Sequence, residues 1–303
     1  MKEYLNADLD IKYKILAFIS FNNTNIISFI LNLYIRFLSN LGIKNKIKEF
    51  KIKKVNDVHY TVDTEEGVIN TPTVFRCLNF SSGFNKRIEF LANSYGSPVF
   101  ENVFKKNASN IIDIGANIGE FSIYCVKRNS NVFSIEHDKA AYSMLKLNTK
   151  KFFDKINTFN LTISNNSGFE EIYYDTITGG TTLIKPLKTD NYKNLDFKEF
   201  SPEKKVISKS NSLTLDDFIE KNKISLVDLI KCDAEGAEPE IIQGLKKNSE
   251  KVDYIAIDTI GERNGEDTTE TVVKLLLERN FKILKRPENK IGRTVIAKNK
   301  NLN

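Results

Sequence analysis

The sequence predicts an α/β protein: a twisted, mostly parallel sheet of seven strands with helices on both faces, preceded by a smaller N-terminal α+β extension. Three observations carry this. From residue 110 to the end, short apolar runs alternate with stretches of helical period, without internal repeats. The apolar runs are rich in β-branched residues and lack polar alternation, the pattern of strands buried on both faces. Four of them end in an acid, at Asp113, Glu136, Asp233 and Asp258.

Taken in order, residues 1–97 form the extension and 98–303 the main domain. Ile15–Ser20 and Ile26–Leu38 are apolar, separated by Asn22-Asn23-Thr24-Asn25, with Asn25 as a candidate N-cap. The second segment, IISFILNLYIRFL, is shorter than the ~20 apolar residues of a spanning helix. No signal-peptide pattern is expected here either. Three readings fit: a helical pair packed on the main domain, an interfacial helix, or a helix for a partner or second copy. Lysines at 44, 46, 48, 51, 53 and 54 would help the interfacial case, so residues 11–54 are the candidate for peripheral membrane contact of an otherwise cytoplasmic protein. Residues 49–80 change period, and EFKIKKV, HYTVDT and TPTVFRCLNF read as short strands with a turn at Glu66-Gly67. A short helix over Arg87–Tyr95 follows, and Ser94–Phe104 is expected to lie over a ligand site.

The main domain opens with NIIDIGANIGEFSIYCVKRNSNVFSIEHD, residues 110–138: strand, glycine turn, helix, strand, acid. Asp138 caps the next helix, which contains Ala141, Met144, Leu145 and Leu147. Ile156–Ile163 is the third strand, ending at Ser164-Asn165-Asn166-Ser167-Gly168. Residues 169–212 interrupt the alternation: EIYYDT and VISKS read as strands around a polar stretch, either a hairpin or lid on the binding face or a decorative loop. Thr214 caps a helix, Leu226–Cys232 is a buried strand, and Pro239 sits in the first turn of the following helix, where proline is tolerated. Val252–Ile257, a helix over Thr268–Glu278, and an antiparallel pair of Phe281–Lys285 with Arg293–Ala297 complete the domain.

Composition sets limits. The 303 residues are 41% hydrophobic and 28% charged, which suits a globular protein with a sizeable core. The net charge of +6 permits an anionic partner without demanding one. Cys77, Cys125 and Cys232 are far apart among apolar neighbours, which reads as buried thiols in a reducing compartment. His59 and His137 are too few and too separated for a histidine metal site.

The glycine turn selects among nucleotides. A dinucleotide turn has the spacing G-x-G-x-x-G and sets a pyrophosphate on a helix N-terminus. Here Asp113-Ile-Gly115-Ala-Asn117-Ile-Gly119 lacks the triple glycine, and an acid at the strand tip repels pyrophosphate and attracts a cation. S-adenosylmethionine has no phosphate and carries an ammonium and a sulfonium, so it is the expected cofactor. Glu136, 21 positions after Gly115, is placed to accept from ribose hydroxyls. Ligands bind at the carboxyl ends of strands in open α/β sheets, so the strand-end acids gather there, with Glu235 and Glu238 close behind Asp233. Helix capping is the alternative for any one of them. Asp233-x-Glu235-Gly236-x-Glu238 with Asp258 would also suit a divalent metal through oxygen ligands, although two positions are not a coordination sphere.

DIGANIGEFS, the EHD at 136–138, LTLDDFI and LVDLIKCDAEGAEPEIIQG together resemble the FkbM family of S-adenosylmethionine-dependent methyltransferases. The resemblance covers about residues 98–260 closely. His137 and Asp258 depart from the family's usual proline and glutamate. It implies a class I methyltransferase fold, Rossmann-like, with methyl transfer to oxygen of a sugar, glycan or natural-product hydroxyl. On that basis Asp113, Gly115, Asn117 and Gly119 hold the methionine portion, with the ammonium near Asp113. Glu136 holds the ribose, His137 is a further cofactor-binding candidate, the Ser164-Asn165 turn meets the adenine, and Asp233 faces the transferred group. Asp233 or Glu235 is the expected base, directly or through a metal, and Lys231 orients the acid or acceptor unless it is a strand-end lysine reaching solvent.

Competing readings are a nicotinamide-dependent sugar oxidoreductase, a nucleic-acid methyltransferase and a non-catalytic binding module. The missing third glycine weighs against the first. The second lacks an aromatic after Asp233 to stack a flipped base, and two further acids there repel a phosphate backbone, so no nucleic-acid partner is expected. The intact acidic set weighs against the third. Oligomeric state is not encoded legibly.

Overall fold

A computed structural model of the protein describes residues 29, 33, 51–56, 59–73, 76–77, 79–174, 181–182, 206–259, 263, 266–287 and 293–302. The chain divides into two compact units, one holding the described residues up to Arg87 and the other those from Ile88 on.

The first unit contains an antiparallel sheet of β1 (Ile52–Asn56), β2 (His59–Thr64) and β3 (Gly67–Thr71), in that order. The turn expected at Glu66-Gly67 joins β2 and β3, with Gly67 at φ 105°. The strand expected over 71–80 does not form beyond Thr71, and Arg76 and Cys77 are helical. Pro72 explains this, because it has no N–H to donate to a ladder. Lys51, Lys53 and Lys54 are exposed at β1, whereas the helical pair expected before residue 44 lies, apart from positions 29 and 33, outside the described residues. Among the described residues, no helix is long and apolar enough to cross a membrane. The Glu65 carboxylate accepts from the backbone N–H groups of Phe84 (3.0 Å) and Asn85 (2.8 Å), which starts α1 (Phe84–Ser94). The division between units therefore falls inside α1, earlier than the 97/98 boundary expected from sequence. Residues just after it are tied into the second unit, where Thr294 Oγ1 donates to Ser94 O at 2.9 Å.

The second unit alternates as expected. β4 (Asn110–Ile114), α2 (Glu120–Val126), β5 (Asn131–Ile135), α3 (Lys139–Thr149) and β6 (Ile156–Phe159) come first. β7 (Thr162–Ile163), β8 (Gly168–Tyr174), β9 (Thr181–Thr182) and β10 (Val206–Leu213) follow. Then come α4 (Leu215–Lys221), β11 (Val227–Cys232), α5 (Glu238–Gln243), β12 (Val252–Asp258), α6 (Thr269–Glu278), β13 (Phe281–Lys285) and β14 (Thr294–Asn299). Among the described residues seven strands form the main sheet, in the order β13-β14-β12-β11-β4-β5-β6, with only β14 antiparallel to its neighbours. From β4 the chain runs outward through β5 and β6, then returns to β11 on the other side of β4. The β4/β11 border is thus the topological switch point, where an open sheet leaves a crevice at its carboxyl edge.

The third strand differs from expectation. It ends at Phe159, and Thr162–Ile163 joins a second sheet of order β7-β10-β8-β9. Asn160 causes the break: its side-chain amide donates to Glu136 O (2.9 Å) and His137 O (3.0 Å), turning the chain off the main sheet. The interruption over 169–212 is the β8–β10 antiparallel pairing, and most of the polar stretch within it lies outside the described residues.

The two faces of the main sheet differ in chemistry. Ile112, Ile114, Ile230, Cys232, Ile255 and Ile257 pack in one cluster with Phe218 of α4, Ile241 and Ile242 of α5, and Val272 and Leu276 of α6. Alternation sends Asp113 and Lys231 to the opposite face. There they stand directly opposite each other in register, 3.1 Å apart and 0% and 3% exposed, with Ser122 of α2 donating to Asp113 Oδ2 at 2.6 Å. Helices therefore cover both faces. Cys77, Cys125 and Cys232 are free and buried, as expected.

Past β11, buried Glu238 folds the loop that leads into α5. Its Oε1 accepts from Gly236 N (3.0 Å) and Ala234 N (3.3 Å), and its Oε2 from Thr268 Oγ1 (3.2 Å). Burial pushes this carboxyl up to about 7, against the pull of its donors.

Two predictions follow from these buried charges. Lys231→Met leaves Asp113 as an uncompensated buried charge and should lower unfolding free energy in urea by about 3–5 kcal/mol; a loss near zero would mean the pair is not sealed from water. Between pH 4.5 and about 7 the unfolded chain releases the Glu238 proton and the folded chain keeps it, so this group's contribution to stability falls as pH rises through that window and is flat above it. In Glu238→Gln the titration is gone, so variant-minus-wild-type stability should swing by about 3 kcal/mol in the variant's favour between the ends of the window. A pH-independent difference would refute the raised carboxyl.

Candidate active site

The site is built where β4 and β11 meet. Lys231 Nζ approaches Asp113 Oδ1 at 3.1 Å and donates to Ile114 O (3.3 Å) and Gly115 O (3.0 Å). Burial alone would push its ammonium down, but the charges of Asp113 and Asp233 outweigh burial and hold it above the usual lysine value. Lys231 thus does not reach solvent, and as a fixed cation it is no base. It clamps the glycine turn. Asp113, with Lys231 on one oxygen and Ser122 on the other, is fully buried. It cannot receive a ligand ammonium directly, which corrects that part of the sequence expectation: its cation is supplied from within the protein.

Gly115 is required by geometry. Its φ is +67°, and a Cβ there would sit 1.9 Å from Asp233 O. The turn from β4 and the end of β11 are therefore in backbone contact, and Asp233 N donates to Ile114 O at 3.2 Å. Asn117 also adopts a left-handed conformation, at φ 52°. Its N–H donates to Glu136 Oε2 at 2.8 Å, while its side-chain Oδ1 is buried with no hydrogen-bond partner among the described residues. Gly119, expected beside a ligand, instead meets α3: a Cβ there would lie 2.9 Å from Leu145 Cδ1 and 3.0 Å from Thr149 Cγ2. It serves helix packing.

Glu136 follows β5 and is 5% exposed. Its Oε1 accepts from Asp138 N at 2.8 Å, so its two oxygens each receive one backbone N–H and hold the glycine turn to the start of α3. Asp138 caps α3 through Ala141 N at 2.7 Å, as expected. His137, half-buried, presents its carbonyl to Asn160. Ser164 and Asn165 are not at the end of the third strand. Ser164 is buried with its hydroxyl on Glu170 Oε1 (2.7 Å), and Asn165 donates to Gln243 Oε1 (3.2 Å), both beside the second sheet. The residue beside Glu136 at the carboxyl end of β6 is Asn160, which strand-length reasoning missed.

Asp233 is half-buried just past β11. Its Oδ2 accepts a short hydrogen bond from Tyr95 OH. Tyr95 is 6% exposed, its ring lies edge-on to Phe121 at 5.6 Å, and Lys231 Nζ stands 4.9 Å from its centroid. Burial, then the adjacent Asp233 charge, push its phenol well above the usual tyrosine value, so it remains a donor. Sequence reading placed the segment from Ser94 over the site but did not single out Tyr95. Glu235 is exposed with φ 50°.

The acids that could have gathered a divalent metal do not converge. Asp258 Oδ2 accepts from Arg293 Nε at 2.9 Å, and Glu238 faces the loop backbone. Among the described residues, no group of three or more His, Cys, Asp or Glu could hold a metal ion.

The crevice fits an adenosyl ligand with an amino acid tail. Asn117 Oδ1 has no donor among the described residues, and each Glu136 oxygen, with one backbone N–H bound, retains acceptor capacity for a hydroxyl.

The methyltransferase FkbM domain model matches residues 113–283, more than half of the chain. Methyltransferase 1 of Beauveria bassiana (strain ARSEF 2860) is 24% identical over 189 residues, covering 55% of this chain and 70% of the relative. Among solved structures, M. capricolum TrmK in complex with S-adenosylhomocysteine has a TM-score of 0.37 at 14% identity, covering 67% of this chain and 68% of that one. Magnesium protoporphyrin IX methyltransferase (ChlM) from Synechocystis PCC 6803 with bound S-adenosylmethionine has a TM-score of 0.42 at 8% identity, covering 75% and 85%. At these scores the solved structures add nothing to the assignment, which rests on the family match across both halves of the crevice. The chain belongs to the FkbM family of S-adenosylmethionine-dependent methyltransferases.

Proposed function

We propose that this methyltransferase acts on a hydroxyl oxygen of a sugar, glycan or natural-product acceptor, with Asp233 as the general base. The observation that carries this is the division of labour among the strand-end acids. Asp113 is paired with Lys231, Glu136 accepts two backbone N–H groups, and Asp258 is paired with Arg293. Asp233 alone of the four is both half-exposed and bonded to a neutral group. A hydroxyl acceptor must shed a proton as it attacks, and a half-exposed carboxylate with one oxygen unbonded among the described residues is suited to take it.

When bound, S-adenosylmethionine supplies an electrophilic methyl on sulfonium, a good leaving group, so positioning is the protein's main task. Glu136 would hold the ribose hydroxyls, and Asn117 Oδ1 and the Gly115 backbone the amino acid end. Asp233 Oδ1 would accept the acceptor's proton as oxygen bonds to carbon. The exposed Glu235 beside it disfavours a polyanionic acceptor.

Glu136→Ala should weaken S-adenosylhomocysteine binding by about tenfold or more in calorimetry, on the order of one charge-assisted hydrogen bond; unchanged affinity would remove Glu136 from the cofactor site. Asp233→Asn should lower kcat about 10²–10⁴-fold with glycan and hydroxylated acceptors screened using labelled methyl donor, while S-adenosylhomocysteine affinity holds. Comparable turnover in that variant would dismiss Asp233 as the base.

A further inference from the structure

We propose that Tyr95 is a positioning residue for the transfer, its hydroxyl fixing the Asp233 carboxylate so that Oδ1 faces the acceptor. This rests on the reading of Asp233 as the base.

Several observations converge on this residue. Packing alone does not call for a hydroxyl here. Tyr95 is buried against Phe121, where phenylalanine would serve and would spare the cost of placing a phenol among acids. The hydroxyl is spent on Asp233 Oδ2, which leaves Oδ1 to the crevice. The backbone that carries it is fixed from both sides. Ser94 O accepts from Thr294 Oγ1 on β14 (2.9 Å), and Ser97 N donates to Ala92 O (2.9 Å). Between them Gly96 stands at φ +82°, where a Cβ would lie 2.2 Å from Ile296 Cδ1. That left-handed conformation favours glycine, and it turns the chain immediately after Tyr95.

The ring does a second job. It covers Lys231 Nζ and so keeps the Asp113–Lys231 pair out of the crevice. The charged groups around the phenol are Asp233 and Lys231 from β11, Asp113 from β4 and Asp258 from β12, the last paired with Arg293. A hydrogen bond from a neutral donor orients a carboxylate while leaving its charge in place. A cation in the same position would quench it.

The test is Tyr95→Phe, which keeps the ring and deletes the donor. S-adenosylhomocysteine affinity, expected within a few-fold of wild type by calorimetry, reports that the variant is folded. kcat should fall about tenfold with KM for the acceptor little changed, the equivalent of one hydrogen bond made in the transition state. An unchanged kcat, or a loss that falls on the acceptor KM or on S-adenosylhomocysteine affinity instead of kcat, overturns the role of Tyr95 while Asp233→Asn remains inactive. If Asp233→Asn turns over normally, the base assignment itself has failed, and the positioning role fails with it.

Discussion

The buried ion pair between Asp113 and Lys231 is the constraint on which the site depends. The two residues come from the central strands, face each other in register and are sealed from water. Such a pair gains little net stability over an apolar one, because desolvation offsets the attraction, but it is costly to break. What it provides here is placement. The lysine's other hydrogen bonds go to Ile114 O and Gly115 O, so the charge that neutralises Asp113 also sets the path of the glycine turn. Gly115 then packs against Asp233 O, and the turn and the carboxyl end of β11 are held as one piece. The pair also has an electrostatic consequence. With Asp113 paired internally, the strand-end carboxylate left half-exposed is Asp233, not the acid at the β4 tip where the sequence alone places the charge.

The architecture was legible because it rests on patterns local in sequence. Apolar β-branched runs, helical periods between them, and caps such as Asp138 and Thr214 each specify an element through its nearest neighbours, and these elements form where expected. The exceptions have equally local causes that pattern reading underweighted. Pro72 denies a ladder hydrogen bond and ends a strand. Asn160 offers a side-chain amide to two carbonyls and bends the chain away after Phe159, which carries Thr162 and Ile163 into a different sheet and Ser164 and Asn165 just past it.

The site was legible only in part, for a different reason. Its residue types and strand ends could be read, but partners from distant strands could not. That Lys231 turns inward to Asp113, that Gly119 faces Leu145, and that Asp258 meets Arg293 are all matters of tertiary neighbourhood. Tyr95 is the extreme case, separated from Asp233 by 138 positions and flagged in the sequence by nothing beyond its place in a connecting segment.

The stretch from Lys231 to Glu238 shows how one short motif can do several jobs. Alternation along β11 sends Lys231 to the α2 face, where it clamps the turn, and Cys232 into the core with α4 to α6. Asp233 comes off the end of the strand with no sheet neighbour to claim its side chain, which leaves it for the crevice. Glu235 and Gly236 then take left-handed conformations that reverse the chain. The reversal brings the Ala234 and Gly236 N–H groups onto Glu238, so that acid serves the loop, not the ligand. Six residues in eight positions thus serve five different ends, and what separates them is direction. A strand's alternation, its end, and two left-handed residues aim chemically similar carboxylates at different surroundings. Asp233 can stay half-exposed because its neighbours in sequence have absorbed the structural work that would otherwise bury it.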